Sequence, residues 1–188
     1  MQSTAKSSGA GYVAWNDALA AHFFRPAAAD QAVYLFVTEE LVAELGRPLG
    51  GGVEAFVAAV RAGPPGVTRA GHCQRALQIA ANWRRTGRKY PPYIAYLALF
   101  VLAGGHEGEF APHAYYPRLW DLLGEPGTGQ PPSFDRMFEL WDDLEQWCVR
   151  DRNGELGAFQ ARIVGEWVHV GLPLAQTQTS GSWFGPSV

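Results

Sequence analysis

The chain has 188 residues, 47% hydrophobic and 18% charged, with a net charge of −3. So much apolar material supports a buried core in one domain of ordinary size and excludes disorder over most of the length. The acidic balance excludes a globally basic nucleic-acid binder. Two cysteines, Cys73 and Cys148, are too few for a disulfide framework and read as buried thiols of a reducing compartment.

Residues 1–11 (MQSTAKSSGAG) read as a mobile N-terminus without the apolar stretch of a signal peptide. A single α-rich domain is expected over 12–176, followed by a flexible polar tail, 177–188. Trp15, Leu19, His22 and Phe23 repeat at helical spacing up to Phe24, and Pro26 stops that helix. Val33–Val37 is β-branched and aromatic and reads as a buried strand. Thr38 is placed to cap the next helix, with Glu39 and Glu40 in its first turn, and Gly46 to end it in a left-handed conformation. Val53 to Ala62 forms a further helix.

A helix over about 70–86 follows, closed by Gly87, with Cys73, Ala76, Leu77, Ala80 and Trp83 as its apolar stripe. Pro91-Pro92 opens a helix over 93–103 that is apolar all round and belongs at the centre of the fold. At 11 residues the run Tyr93–Ala103 is far short of the roughly 20 that a membrane span needs. Pro117 suits the first position of a short helix to Leu123. Ser133 is placed to cap a helix to about Arg150, whose stripe is Phe134, Met137, Phe138, Trp141, Leu144 and Cys148. Alternation over 158–172 predicts a hairpin turning at Gly165-Glu166.

The expected class is therefore mainly α (α+β): a helical domain with a C-terminal β-hairpin and one N-terminal strand. Helix, helix, hairpin over 112–172 is the order of a winged-helix-like part. Its helix 133–150 exposes Asp135, Glu139, Asp142, Asp143 and Glu145, which phosphates would repel. Packing or protein binding suits it better than DNA reading.

Charge is segregated. From Ala55 to His106 there is no Asp or Glu but there are seven basic residues, so this stretch is +7 and the remainder −10. Arg75, Arg84, Arg85, Arg88 and Lys89, interleaved with Trp83 and Tyr90, are candidate ligands of an anion or nucleic acid. The same cations equally suit a solvated helix end, or docking onto an acidic face such as helix 133–150. Tyr93, Tyr96, Tyr115, Tyr116 and Trp120, with the neighbouring prolines, are core residues or the lining of a partner groove.

Catalytic patterns are weak. His106-Glu107 and His113 lack the zincin spacing, and His72-Cys73 are neighbours that diverge on a helix. Asp142-Asp143 and Glu145 read as a solvated helix face, and neither Gly50-Gly51-Gly52 nor Gly104-Gly105-His106-Glu107-Gly108 has a phosphate-loop context. No cofactor and no metal is expected.

The strings VYLFVTEELVAELG (33–46), YPPYIAYLALFVLAGG (90–105), FAPHAYYPRLWDLLGE (110–125) and GEWVHVGLPLAQT (165–177) resemble the N-terminal region of large uncharacterised bacterial proteins associated with antiphage defence gene clusters. The resemblance covers nearly the whole chain and carries no catalytic motif. It implies a module or subunit of a larger assembly. The first expectation is a cytoplasmic, non-catalytic interaction module whose partner is another protein or a larger complex, with no membrane. The alternatives are a nucleic-acid-binding domain using the basic 84–89 segment and an enzyme of unrecognised type centred on His106, Glu107 and His113.

Overall fold

The computed structural model describes residues 10–32, 35–67, 71–104 and 112–158, with two backbone triplets beyond, 162–164 and 167–169. Within them run seven α-helices: α1 Ala10–Phe23, α2 Glu39–Gly46, α3 Val53–Ala62, α4 His72–Asn82, α5 Ile94–Gly104, α6 Pro112–Leu123 and α7 Phe138–Gln146. The expected mobile N-terminus over 1–9 and the expected tail 177–188 lie outside the described residues, and Ala10 and Gly11 already belong to α1.

Helix α5 is the axis of the fold. All of its residues are buried, as its unbroken apolar sequence requires, and α1, α3 and α6 pack around it. Ile94, Leu97 and Leu99 lose all exposure, worth about 1.5–3 kcal/mol each. The helix follows two prolines and has no local capping side chain, so the cap comes from α1. Buried Asn16 accepts from the Ala95 N–H at 3.1 Å and donates to the Pro91 carbonyl at 2.9 Å, while the Tyr12 hydroxyl donates to the Pro92 carbonyl at 2.8 Å. The first bond satisfies an N–H that a helix start leaves orphaned, and the other two hold the Pro91 and Pro92 carbonyls ahead of it.

Several helix ends follow the sequence and several do not. Thr38 caps α2 by accepting from the Leu41 N–H at 3.2 Å. Gly46, however, is right-handed (φ −76°), and the left-handed residue is Gly50 (φ 74°), reached through a 3₁₀ turn at Arg47–Leu49. Gly46 serves close approach instead: a Cβ there would fall 2.1 Å from the Gly51 carbonyl oxygen and 2.6 Å from the Trp15 ring. Pro117 lies inside α6, which begins at Pro112. Ser133 is left-handed (φ 64°) and caps nothing; its Oγ donates to Gln74 Oε1 at 3.3 Å. Beyond it come a 3₁₀ turn at Phe134–Arg136, then α7, then a π turn at Trp147–Asp151. The buried face of this stretch is Met137, Leu140, Trp141, Leu144, Trp147 and Cys148, and Phe138 is exposed.

The mixed α+β class is corrected. The body is helical, and α7 buries its apolar face in the common core against α4, so the described residues form no separate winged-helix unit. The triplets 162–164 and 167–169 pair antiparallel with each other but join no strand of the body, so the expected C-terminal hairpin adds no sheet to the helical fold and no winged-helix sheet is built; the rest of 159–172 lies outside the described residues. The expected strand at Val33–Val37 is also corrected. Residues 33–34 are outside the described part, and Leu35–Val37 pairs with no strand, although Leu35 (2% exposed) and Val37 (1%) are buried around exposed Phe36 (42%). Among the described residues of this run burial thus holds for Leu35 and Val37 only, and the backbone pairing falls earlier, where β1 (Ala27–Ala32) lies parallel to β2 (Leu156–Ala158). Ala27–Ala32 has no β-forming composition, so tertiary pairing sets its conformation.

Candidate functional site

The basic segment leaves α4 through a 3₁₀ turn, Trp83–Thr86, and the left-handed Gly87 (φ 65°) ends it as the sequence requires. Trp83 is buried, packing edge-on against Tyr93 and Trp147 at ring separations of 6.5 and 6.2 Å, and this fixes the turn on the body. Asp143 of α7 lies beneath it. It accepts from Trp83 Nε1 at 2.7 Å, from the Tyr93 hydroxyl, and from Arg84 Nε and Nη2 at 3.1 and 2.9 Å. Arg84 Nη1 also donates to Asp151. One guanidinium thus holds two carboxylates of the same helical stretch.

The π turn makes that double grip geometrically accessible. Asp143 and Asp151 are eight positions apart, which in an α-helix overshoots two turns by about 80°. The wider turn at Trp147–Asp151, closed by the Arg152 N–H on the Trp147 carbonyl at 3.1 Å, takes up the excess and swings Asp151 back over Asp143. Burial opposes the charge on Arg84, but hydrogen bonding and the charges of Asp143 and Asp151 hold its pKa above the usual value. Burial first, and then Asp143, push the Tyr93 hydroxyl far above the ordinary phenol range.

The other cations of the segment behave differently. Arg85, Arg88 and Lys89 are exposed, and among the described residues none pairs with a carboxylate. Lys89 Nζ lies 4.8 Å over the ring of half-buried Tyr90, whose ring meets Trp147 edge-on at 6.3 Å. Arg75 belongs elsewhere, at the start of α4. Its Nη1 donates to the Arg61 and Ala62 carbonyls at 3.0 and 3.4 Å, closing the end of α3, and its Nη2 donates to His72 Nδ1 at 2.6 Å. Arg61 does the same for α6, with Nε and Nη2 donating to the Leu122 and Asp121 carbonyls at 2.9 and 2.6 Å.

His72 is buried, and burial first, then the charge of Arg75, lower its pKa to about 4. The contact of its Nε2 with Glu125 Oε1 at 3.2 Å is therefore that of a neutral imidazole donating to a carboxylate, while Nδ1 accepts from Arg75; the partners assign this tautomer. Burial pushes both Cys73 and Cys148 up to about 12, leaving them as inert thiols.

The structure thus divides the five expected cations into three groups: Arg75 at one end of α4, Arg84 bound internally, and Arg85, Arg88 and Lys89 facing solvent. The five expected groove aromatics go into the core and its rim. Tyr93 and Tyr96 are fully buried; the Tyr115 hydroxyl donates to the Phe100 carbonyl at 3.1 Å, Tyr116 meets Phe134, and Trp120 Nε1 donates to the Gly129 carbonyl at 2.8 Å. His106 and Glu107 lie outside the described residues, as does the side chain of His113. Among the described residues no three His, Cys, Asp or Glu side chains gather as a metal site would require, and no helix is long and apolar enough to cross a membrane. Asn16 and His72 are the buried polar residues, and Asp143 and Asp151 organise the partly exposed ion-pair cluster; of these four only Asp143, as part of an acidic helix, has a signal in the sequence. Comparison with family models, curated proteins and solved structures gave no match.

Proposed function

We propose that the chain is a non-catalytic interaction module, a domain or subunit of a larger bacterial assembly that works in the cytoplasm. The observation that carries this reading is the Arg84 bolt. It fixes the turn 83–86 to α7 through Asp143 and Asp151 and leaves Arg85, Arg88 and Lys89 on a rigid support with no carboxylate among the described residues to meet them. Preorganised charges suit binding, because little conformational freedom remains to be lost on association. The ionisable groups of the interior support the same reading, since burial keeps His72, Cys73 and Cys148 in their neutral, unreactive forms. The four strings that resemble defence-cluster proteins make a defence complex the first assembly to examine.

Mass measurement of native complexes isolated from the source cell tests the proposal. The chain is expected in a particle heavier than itself. A strictly monomeric chain under those conditions contradicts it.

A further inference from the structure

Resting on the module reading, we infer that the turn carrying Arg85, Arg88 and Lys89 docks an acidic segment of a partner protein, rich in Asp and Glu. The turn already binds carboxylates within its own molecule. Arg84, next to Arg85 in the chain, takes hold of Asp143 and Asp151 together. Its neighbours carry the same chemistry outward. All three are exposed, all three lie within five residues, and no carboxylate of the described residues pairs with them. They also belong to a stretch, 55–106, that contains no acid at all, so nothing within it competes for them.

A nucleic acid is the less suitable occupant for two reasons. Single strands are held by cations together with open aromatic faces on which bases stack. Here the strongest candidate cation, Arg84, is committed to Asp143 and Asp151. The adjacent aromatics are committed as well: Trp83 is buried with Arg84 Cζ 5.3 Å over its ring, and Tyr90 is held between Lys89 and Trp147. Three cations without a stacking platform match carboxylates better than phosphates and bases.

Fluorescence anisotropy on the full chain tests this. The probes are a labelled Glu-rich peptide, a Gln-for-Glu peptide of the same length, and oligothymidylate as competitor. The Glu peptide is expected to bind at low salt and the Gln peptide not to bind. The combined variant Arg85→Gln, Arg88→Gln, Lys89→Gln is expected to weaken binding by about tenfold or more, with the fold checked by its urea transition. The inference is overturned if the wild type does not bind the Glu peptide, if the triple variant binds it equally well, or if oligothymidylate displaces it at lower concentration than unlabelled peptide. A native complex that survives the triple substitution overturns the inference and leaves the module reading intact; no native complex at all overturns the reading beneath it.

Discussion

The two ends of α4 use arginine in opposite ways. At the start, Arg75 and, across from it, Arg61 spend their donors on backbone carbonyls that close α3 and α6, and the ring of His72 stays neutral between Arg75 and Glu125. Beyond the other end, Arg84 spends its donors on two carboxylates, each partly open to solvent. The first arrangement is a set of helix caps, directed by geometry and insensitive to salt. The second is an ion-pair cluster, which salt screens. The difference teaches that a basic stretch in a sequence is not one surface. Fold geometry sorts its members into caps, internal bolts and outward charges, and only the last group is left for a partner.

The comparison breaks most visibly at Asp143. Asp143→Ala removes the shared acceptor of buried Trp83, buried Tyr93 and Arg84 and leaves their donors without it. A loss of about 3 kcal/mol or more is expected in urea unfolding, whereas Glu125→Ala at the other end, where the partner is exposed and the imidazole neutral, is expected to cost less than about 1 kcal/mol.

The His72 end is sharpened by pH. The imidazole pKa is lowered from an ordinary 6.5 to about 4 in the fold. The unfolded chain therefore takes up this proton first, and stability falls as pH drops from about 6.5 towards 4, by about 3 kcal/mol in all. Above pH 6.5 the group contributes no pH dependence. Urea midpoints of wild type and His72→Gln, measured between pH 7 and 4, are expected to differ in slope across that window and to run parallel above it.

A smaller effect is expected at Tyr96 of α5, which is fully buried and whose hydroxyl finds no hydrogen-bond partner among the described residues. Tyr96→Phe keeps the ring packed on Tyr12 and removes the unmet polar group. It should leave stability unchanged or raise it by up to about 1 kcal/mol, read as the shift in thermal midpoint.

What the sequence disclosed follows the range of the interactions involved. The all-apolar run of α5, the Thr38 cap and the Gly87 stop are local patterns, and the structure holds each of them. The basic segment suits a solvated helix end, an anion patch or docking on the acidic helix, and Arg84 takes the last while Arg85, Arg88 and Lys89 do not. Asn16 capping α5 and the Arg61 and Arg75 caps join residues 13 to 79 positions apart, with no local signature to announce them. Ser133 and Pro117 misled for the converse reason: each matches a helix-start rule, yet Ser133 bonds to Gln74 on α4 and Pro117 sits within a helix that starts at another proline. The β-branched, aromatic run at 33–37 reads as a buried strand, but composition of that kind suits any chain segment that lays side chains on a core, and Leu35 and Val37 do so without pairing.

The division of the basic segment is tested most directly by urea unfolding of two variants at low salt. Arg84→Gln, which opens the bolt, should lose about 1–2 kcal/mol, and the combined Arg85→Gln, Arg88→Gln, Lys89→Gln variant should stay within about 0.5 kcal/mol of wild type. Equal losses in the two variants, or none with Arg84→Gln, would contradict the separation of internal bolt from outward docking surface.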